Sequence, residues 1–168
     1  VHPEVREWVA KWAEPGPLRV LDIGGRDING TTRDIYPDAE SYTVLDVLPG
    51  TEVDIVADAA TWQTDERYDV VLCTEVFEHA AAWAAICRTA FSVLKPGGLF
   101  VVTCAGPGRP PHSAIDGGWT LHPGEHYQNV PASDLHSELD AVGFAGIMTV
   151  QTESHPCDTR AAAFKPRH

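Results

Sequence analysis

Five short apolar runs punctuate the sequence between Leu18 and Cys104, and four of them run into an acid. Leu18–Ile23 contains Asp22 and leads to Gly24. Ser41–Leu45 ends at Asp46, Val53–Val56 is followed by Asp58, and Tyr68–Cys73 leads to Thr74 and Glu75. Leu99–Cys104 is the fifth run. Runs this short, apolar at nearly every position, predict strands buried on both faces. Helical spacing fills the gaps. Pro3–Ala13 puts Val5, Trp8, Val9 and Trp12 on one face and stops at the Pro-Gly-Pro turn that begins at Pro15. Thr31–Tyr36 predicts a short helix ended by Pro37. Phe77–Leu94 predicts the longest helix, closed by the Lys-Pro-Gly-Gly at 95–98. Ala132–Val142 predicts a helix capped by Ser133 or Asp134 and ended by Gly143. Gly146–Thr152 and Arg160–Phe164 predict a closing pair of strands. Strands alternating with helices predict an α/β fold, a doubly wound parallel sheet covered on both sides, in one domain over residues 1–168.

On such a sheet, ligands sit outside the carboxyl ends of the strands. Asp22, Gly24, Asp46, Asp58, Thr74 and Glu75 all fall there. One polar residue at one strand end means little; acids after successive strands make a pattern. The turn after the first strand, Gly-Gly-Arg-Asp-Ile-Asn-Gly at 24–30, argues against a nicotinamide cofactor. A G-x-G-x-x-G fingerprint needs glycine where Arg26 and Asn29 stand. The Asn29–Gly30 pair is itself a turn signal, so the chain is expected to turn late and begin its helix at Thr31 or Thr32.

Composition narrows the partners. The formal net charge is −12, with no Lys/Arg stripe, which disfavours nucleic acid. No apolar stretch is long enough to span a membrane, and the start does not read as a signal peptide. The four cysteines form no CxxC pair, predicting neither a zinc knuckle nor a disulfide framework; most of them are expected to be buried thiols in a reducing cytoplasm.

A second constellation is Glu75-Val-Phe-Glu78-His79. Its acids and imidazole stand at i, i+3 and i+4, so a continuous helix would put them on one face. Carboxylates at a helix start can serve only its dipole. With an imidazole they can also hold a hard divalent ion such as Mg²⁺, Mn²⁺ or Zn²⁺. A later histidine is available, His126 best placed by chain order and His122 next. His79 or His126 is equally a candidate general base.

From Leu18 to Phe164 the chain resembles the class I S-adenosylmethionine-dependent methyltransferases. The resemblance rests on VLDIGG (20–25), VLDV (44–47), IVADA (55–59), YDVVLCTEVFEH (68–79) and LKPGGLFVVT (94–103), in that order and spacing. It implies a Rossmann-like, mostly parallel seven-stranded sheet with a closing antiparallel strand, and S-adenosylmethionine as cofactor. It also implies roles. Gly24, with Gly25 beside it, lets the backbone approach the methionine moiety, and Asp22 orients that loop. Asp46 accepts from the ribose hydroxyls. Asp58 and Ala59 flank the adenine. Thr74 and Glu75 lie near the methionine. The family's second and third loop glycines are replaced here by Arg26 and Ile28. The E-x-x-E-H cluster resembles that of ubiquinone-type catechol O-methyltransferases and small-RNA terminal 2′-O-methyltransferases, where with a later His it binds a metal. This implies a tentative metal set of Glu75, Glu78, His79 and His126.

The expected reaction is methyl transfer to a small acceptor, a hydroxyl by the histidine content, with or without a metal. The alternative is a cofactor-binding domain with degenerate catalysis that serves as an interaction module. The loop over 105–131 is expected to choose the substrate, through His112, Trp119, His122, His126 and Tyr127, with the N-terminal helix (1–14) as a lid. Trp8 and Trp12 would suit either a homodimer contact or a cover for the sheet.

Overall fold

The computed structural model describes residues 1–168 apart from Asn29. The Asn29–Gly30 turn therefore lies partly outside the described residues. The elements in chain order are α1 (Pro3–Trp12), β1 (Arg19–Ile23), β2 (Ser41–Asp46), β3 (Ile55–Val56), β4 (Tyr68–Thr74), α2 (Trp83–Val93), β5 (Leu94–Ala105), α3 (Ala132–Val142), β6 (Ala145–Gln151) and β7 (Asp158–Phe164). Single 3-10 turns cover Arg33–Ile35 and Phe77–His79. The strands form one sheet in the order β3-β2-β1-β4-β5-β7-β6. β1 to β5 pair in parallel, and β7 runs antiparallel to both β5 and β6. This is the α/β sheet with an antiparallel closing strand that the sequence predicts.

Alternation along the central strands makes two cores. Leu21, Ile23, Val71, Cys73, Phe100 and Val102 face α2 and α3. Val20, Val70, Leu72, Leu99 and Val101 face α1, through Val5, Trp8 and Val9. Fully burying each Leu or Val side chain contributes about 1.5–3 kcal/mol relative to exposure, so register is strongly held and strand ends are fixed in space. Trp8 is buried, and its indole N–H donates to the Ala161 carbonyl at 3.3 Å. α1 thus covers the sheet, and Trp8 offers no outward surface for a second subunit.

Three expectations are corrected. The long helix over Phe77–Leu94 is broken: a 3-10 turn at Phe77–His79 is followed by extended Ala80 before α2 starts. Gln128 supplies the reason. Its side-chain amide donates to the carbonyls of Phe77 and Ala80 at 3.1 and 3.0 Å, and its backbone N–H donates to Glu78 O at 2.8 Å. Carbonyls that an unbroken helix would spend on its own N–H groups are taken by a residue from another segment. Second, the Thr31–Tyr36 helix is only the turn at Arg33–Ile35. Third, α3 has Pro131 at its N-cap, and neither Ser133 nor Asp134 caps it; their side chains bond each other at 3.2 Å. The Ala132 N–H instead donates to the Gln151 side chain of β6 at 3.2 Å. At its other end α3 stops, as expected, on left-handed Gly143.

Candidate active site

The carboxyl ends of β1, β2, β3 and β4 open into one cavity of about 880 Å³. Gly24, Asp46, Asp58, Ala59, Thr74, Glu75 and His79 all line it. Asp22, Gly25 and Glu78 lie behind its wall, and His126 is exposed and outside it.

The β1 turn needs its two adjacent glycines for different reasons. Gly24 has φ +75°, and a Cβ there would lie 2.1 Å from Val76 Cγ2. A Cβ on Gly25 would lie 2.6 Å from the Asp22 carboxylate. Asp22 is buried, and its Oδ2 accepts from the Tyr42 hydroxyl at 2.7 Å. Burial raises its pKa to about 6, against the pull of that hydrogen bond. Asp46 Oδ1 accepts from the Leu48 N–H at 2.9 Å, and Oδ2 from the Arg26 N–H at 3.3 Å. Asp58 is exposed, and its Oδ1 accepts from Ala60 N–H at 2.9 Å.

Beyond Thr74 the geometry departs from the expected helix face. Glu75 is left-handed, with φ +60°. With the 3-10 turn behind it, this sends Glu75 one way and Glu78 and His79 another. Glu75 Oε2 lies 2.5 Å from Arg109 Nη1 and 3.4 Å from His2 Nε2. Arg109 Nη1 also donates to Asp158 Oδ1 at 2.8 Å, so one guanidinium joins two carboxylates of distant origin. Burial would raise the Glu75 pKa, but His2 and Arg109 hold it down to about 2.

Glu78 stands on the other side. It is fully buried, and neither carboxylate oxygen has a hydrogen-bond partner among the described residues. Burial, and then the charge on Glu75, push its pKa well above the carboxylate range. His112 Nε2 lies 3.8 Å from its Oε1. Rings of His79 and His112 meet edge to face with centroids 4.9 Å apart, and Tyr127 packs against both. Burial, and then His112, lower the His79 pKa to about 4.

The ligand-bearing atoms therefore form two groups, Glu78/His79/His112 and His2/Glu75/Asp158. In the second, Arg109 already supplies the positive charge. The four-residue metal set expected from the sequence does not come together: Glu75 turns away to Arg109, and His112 occupies the place given to His126. Of the other loop residues, Trp119 lines the cavity, while exposed His122 pairs with Asp116 at 2.9 Å. Arg109, Asp158 and His2 had no signal in spacing, because three separate segments bring them to Glu75.

Residues 1–149 match the family described as a methyltransferase domain. The chain belongs to that family. A curated relative, the ubiquinone biosynthesis O-methyltransferase of Xanthomonas axonopodis pv. citri, is 34% identical over 122 residues, 61% of this chain and 50% of the relative. The chain spans half the length or less of the curated relatives it matches. Among solved structures, the S-adenosylmethionine-dependent methyltransferase SibL in its apo form superposes with a TM-score of 0.71 at 22% identity, over 96% of this chain and 55% of that one. A S-adenosylmethionine-dependent methyltransferase from Mesorhizobium loti superposes with a TM-score of 0.68 at 19% identity, over 97% and 96%. These two likenesses establish the fold.

Proposed function

We propose that this methyltransferase domain binds S-adenosylmethionine across the ends of β1 to β4 and transfers its methyl to a hydroxyl of a small acceptor. The observation that carries the reading is the layout of one continuous cavity. Strand-end acids line one half of it and a pair of neutral imidazoles the other. Gly24 admits the methionine moiety, Asp46 accepts from the ribose hydroxyls, and Asp58 and Ala59 bound the adenine. Thr74 and Glu75 form the floor beneath the methyl, with Asp22 and Gly25 holding the loop from behind. The relative named for ubiquinone O-methylation favours oxygen as the methylated atom.

The sulfonium methyl is already activated, so the chain must align an acceptor for in-line attack and receive its proton. As the acceptor oxygen bonds the methyl carbon, the carbon–sulfur bond breaks and the hydroxyl proton leaves. His79, held neutral at pH 7 by its lowered pKa, is the group placed to take it, with His112 beside it. Arg109 keeps Glu75 ionised and still. A divalent ion such as Mg²⁺, Mn²⁺ or Zn²⁺ fits Glu78, His79 and His112, since the Glu78 oxygens and His79 Nδ1 are buried without hydrogen-bond partners among the described residues. When bound, it would supply a Lewis acid that makes an acceptor hydroxyl more acidic.

Calorimetric titration with S-adenosylhomocysteine, with and without each ion and after chelation, tests the reading. Micromolar binding together with turnover of a model catechol is expected. No binding would overturn it. Binding without turnover on any hydroxylated acceptor would leave the interaction-module alternative.

A further inference from the structure

Arg26 stands where the family pattern has glycine, and its surroundings are built for a large side chain. A Cβ on Gly50 would lie 2.7 Å from Arg26 Cδ and 2.9 Å from Cγ, so the β2–β3 loop is kept bare to seat the arginine stem. Its guanidinium reaches across the cavity. Nη2 donates to the Ala114 carbonyl at 2.9 Å. Nε is buried, lies 3.9 Å from Asp46 Oδ1, and has no hydrogen-bond partner among the described residues. From the other side, Glu125 Oε1 accepts from the Ala114 N–H at 2.8 Å and the Ser113 hydroxyl at 3.0 Å. The Ala114 residue is thus held at its carbonyl by Arg26 and at its N–H by Glu125. His112 lies two residues before it.

We propose that Arg26 is a positioning residue that ties the segment carrying His112 to the ribose end of the cofactor site. This rests on the reading of the cavity as an S-adenosylmethionine site. A ribose hydroxyl that donates to Asp46 has lone pairs to accept from Arg26 Nε, the donor left over beside that carboxylate. Cofactor binding then satisfies a buried N–H and fixes the same guanidinium that grips Ala114. The acceptor side is ordered when the cofactor arrives, and the two binding events favour each other.

The test is hydrogen exchange over residues 113–118, with and without S-adenosylhomocysteine, in wild type, Arg26→Ala and Arg26→Lys, alongside calorimetry of the same ligand. Wild type should show slow exchange there, slowed about ten-fold further by the ligand. Arg26→Ala should exchange about ten-fold faster without ligand, lose the ligand's effect, and bind about ten-fold more weakly. Arg26→Lys, which keeps one donor group, should recover part of the protection, and it serves alone if the alanine variant fails to fold. Exchange at 113–118 that is unchanged by Arg26→Ala, or unaffected by ligand in wild type, overturns the proposal. If wild type binds no S-adenosylhomocysteine, the cofactor reading fails separately, and the ligand-free exchange rates still decide whether Arg26 holds Ala114.

Discussion

Asp46 and Asp58 sit at the ends of paired strands and line the cavity, each accepting from an N–H two residues on, with the Arg26 N–H of the β1 turn as a second donor to Asp46. Glu75 lines the other half of the same cavity, with Glu78 and Asp158 buried behind it; His2 and Arg109, far away in sequence, hold the Glu75 pKa down, while burial and then the Glu75 charge raise those of Glu78 and Asp158. The first half is local: a strand ends, an acid follows, and the neighbouring N–H groups are ready. The second half is assembled from the start of α1, the turn after β4, the loop after β5 and the start of β7. On the proposed reading, such a site can keep its cofactor half constant while the acceptor half changes, because the two are held by different parts of the chain.

The sharpest way to break the comparison is to remove Asp46. Two hydrogen bonds to a carboxylate, each worth about 1.5–3 kcal/mol, should vanish in Asp46→Ala. Affinity for S-adenosylhomocysteine should fall about 100-fold or more by calorimetry, with metal binding untouched. The converse variant is Glu78→Gln. It keeps the volume of a side chain that burial and the Glu75 charge push away from ionisation, so thermal melting should stay within about 0.5–1.5 kcal/mol of wild type. Divalent-ion binding should disappear while cofactor binding persists. If one variant abolishes both, the halves are not independent.

Acidity separates the halves further. The Asp22 pKa is raised, so the folded protein holds a proton that the unfolded chain releases. That contribution is full below the unfolded value of 3.8 and is lost as pH rises through about 6. Relative to Asp22→Asn, wild type should therefore gain about 2–3 kcal/mol as pH falls from 7 to 4, read from denaturant melts. The smallest effect belongs to Trp119, which is 74% exposed at the cavity mouth. Trp119→Ala should change stability by less than about 0.5 kcal/mol, and raise the acceptor KM while leaving S-adenosylhomocysteine affinity unchanged.

What could be read in the sequence follows the same division. Runs such as Tyr68–Thr74 announce their burial through composition, and the residue after each run is placed by the strand. The helix over Phe77–Leu94 also has the right residues for a helix. What breaks it is an amide from Gln128, and spacing carries no information about that long-range bond. Once the helix breaks, the i, i+3, i+4 argument for Glu75, Glu78 and His79 lapses, and with it the expected metal set. His112 was visible as a residue of the substrate loop, but chain order favoured His126. The loop folds back so that the earlier histidine meets His79. The family's loop pattern also misleads at 24–26, because here Gly24 and Gly25 make room for Val76 and for Asp22, and the third position is free to carry an arginine.

The stretch from Ala105 to Pro131 is fastened at its two roots and, at Ala114, by Arg26 and Glu125. Gln128 grips the turn beside His79. The Asn129 side-chain amide donates to Gly106 O at 2.7 Å and Arg109 O at 3.0 Å, and the Val130 N–H donates to Ala105 O at 2.9 Å. Beyond these ties, Trp119 and the residues around it project outward. On the proposed reading, a lineage can therefore rewrite that tip, residue by residue, and audition new molecules at the mouth while the imidazoles underneath stay where they are.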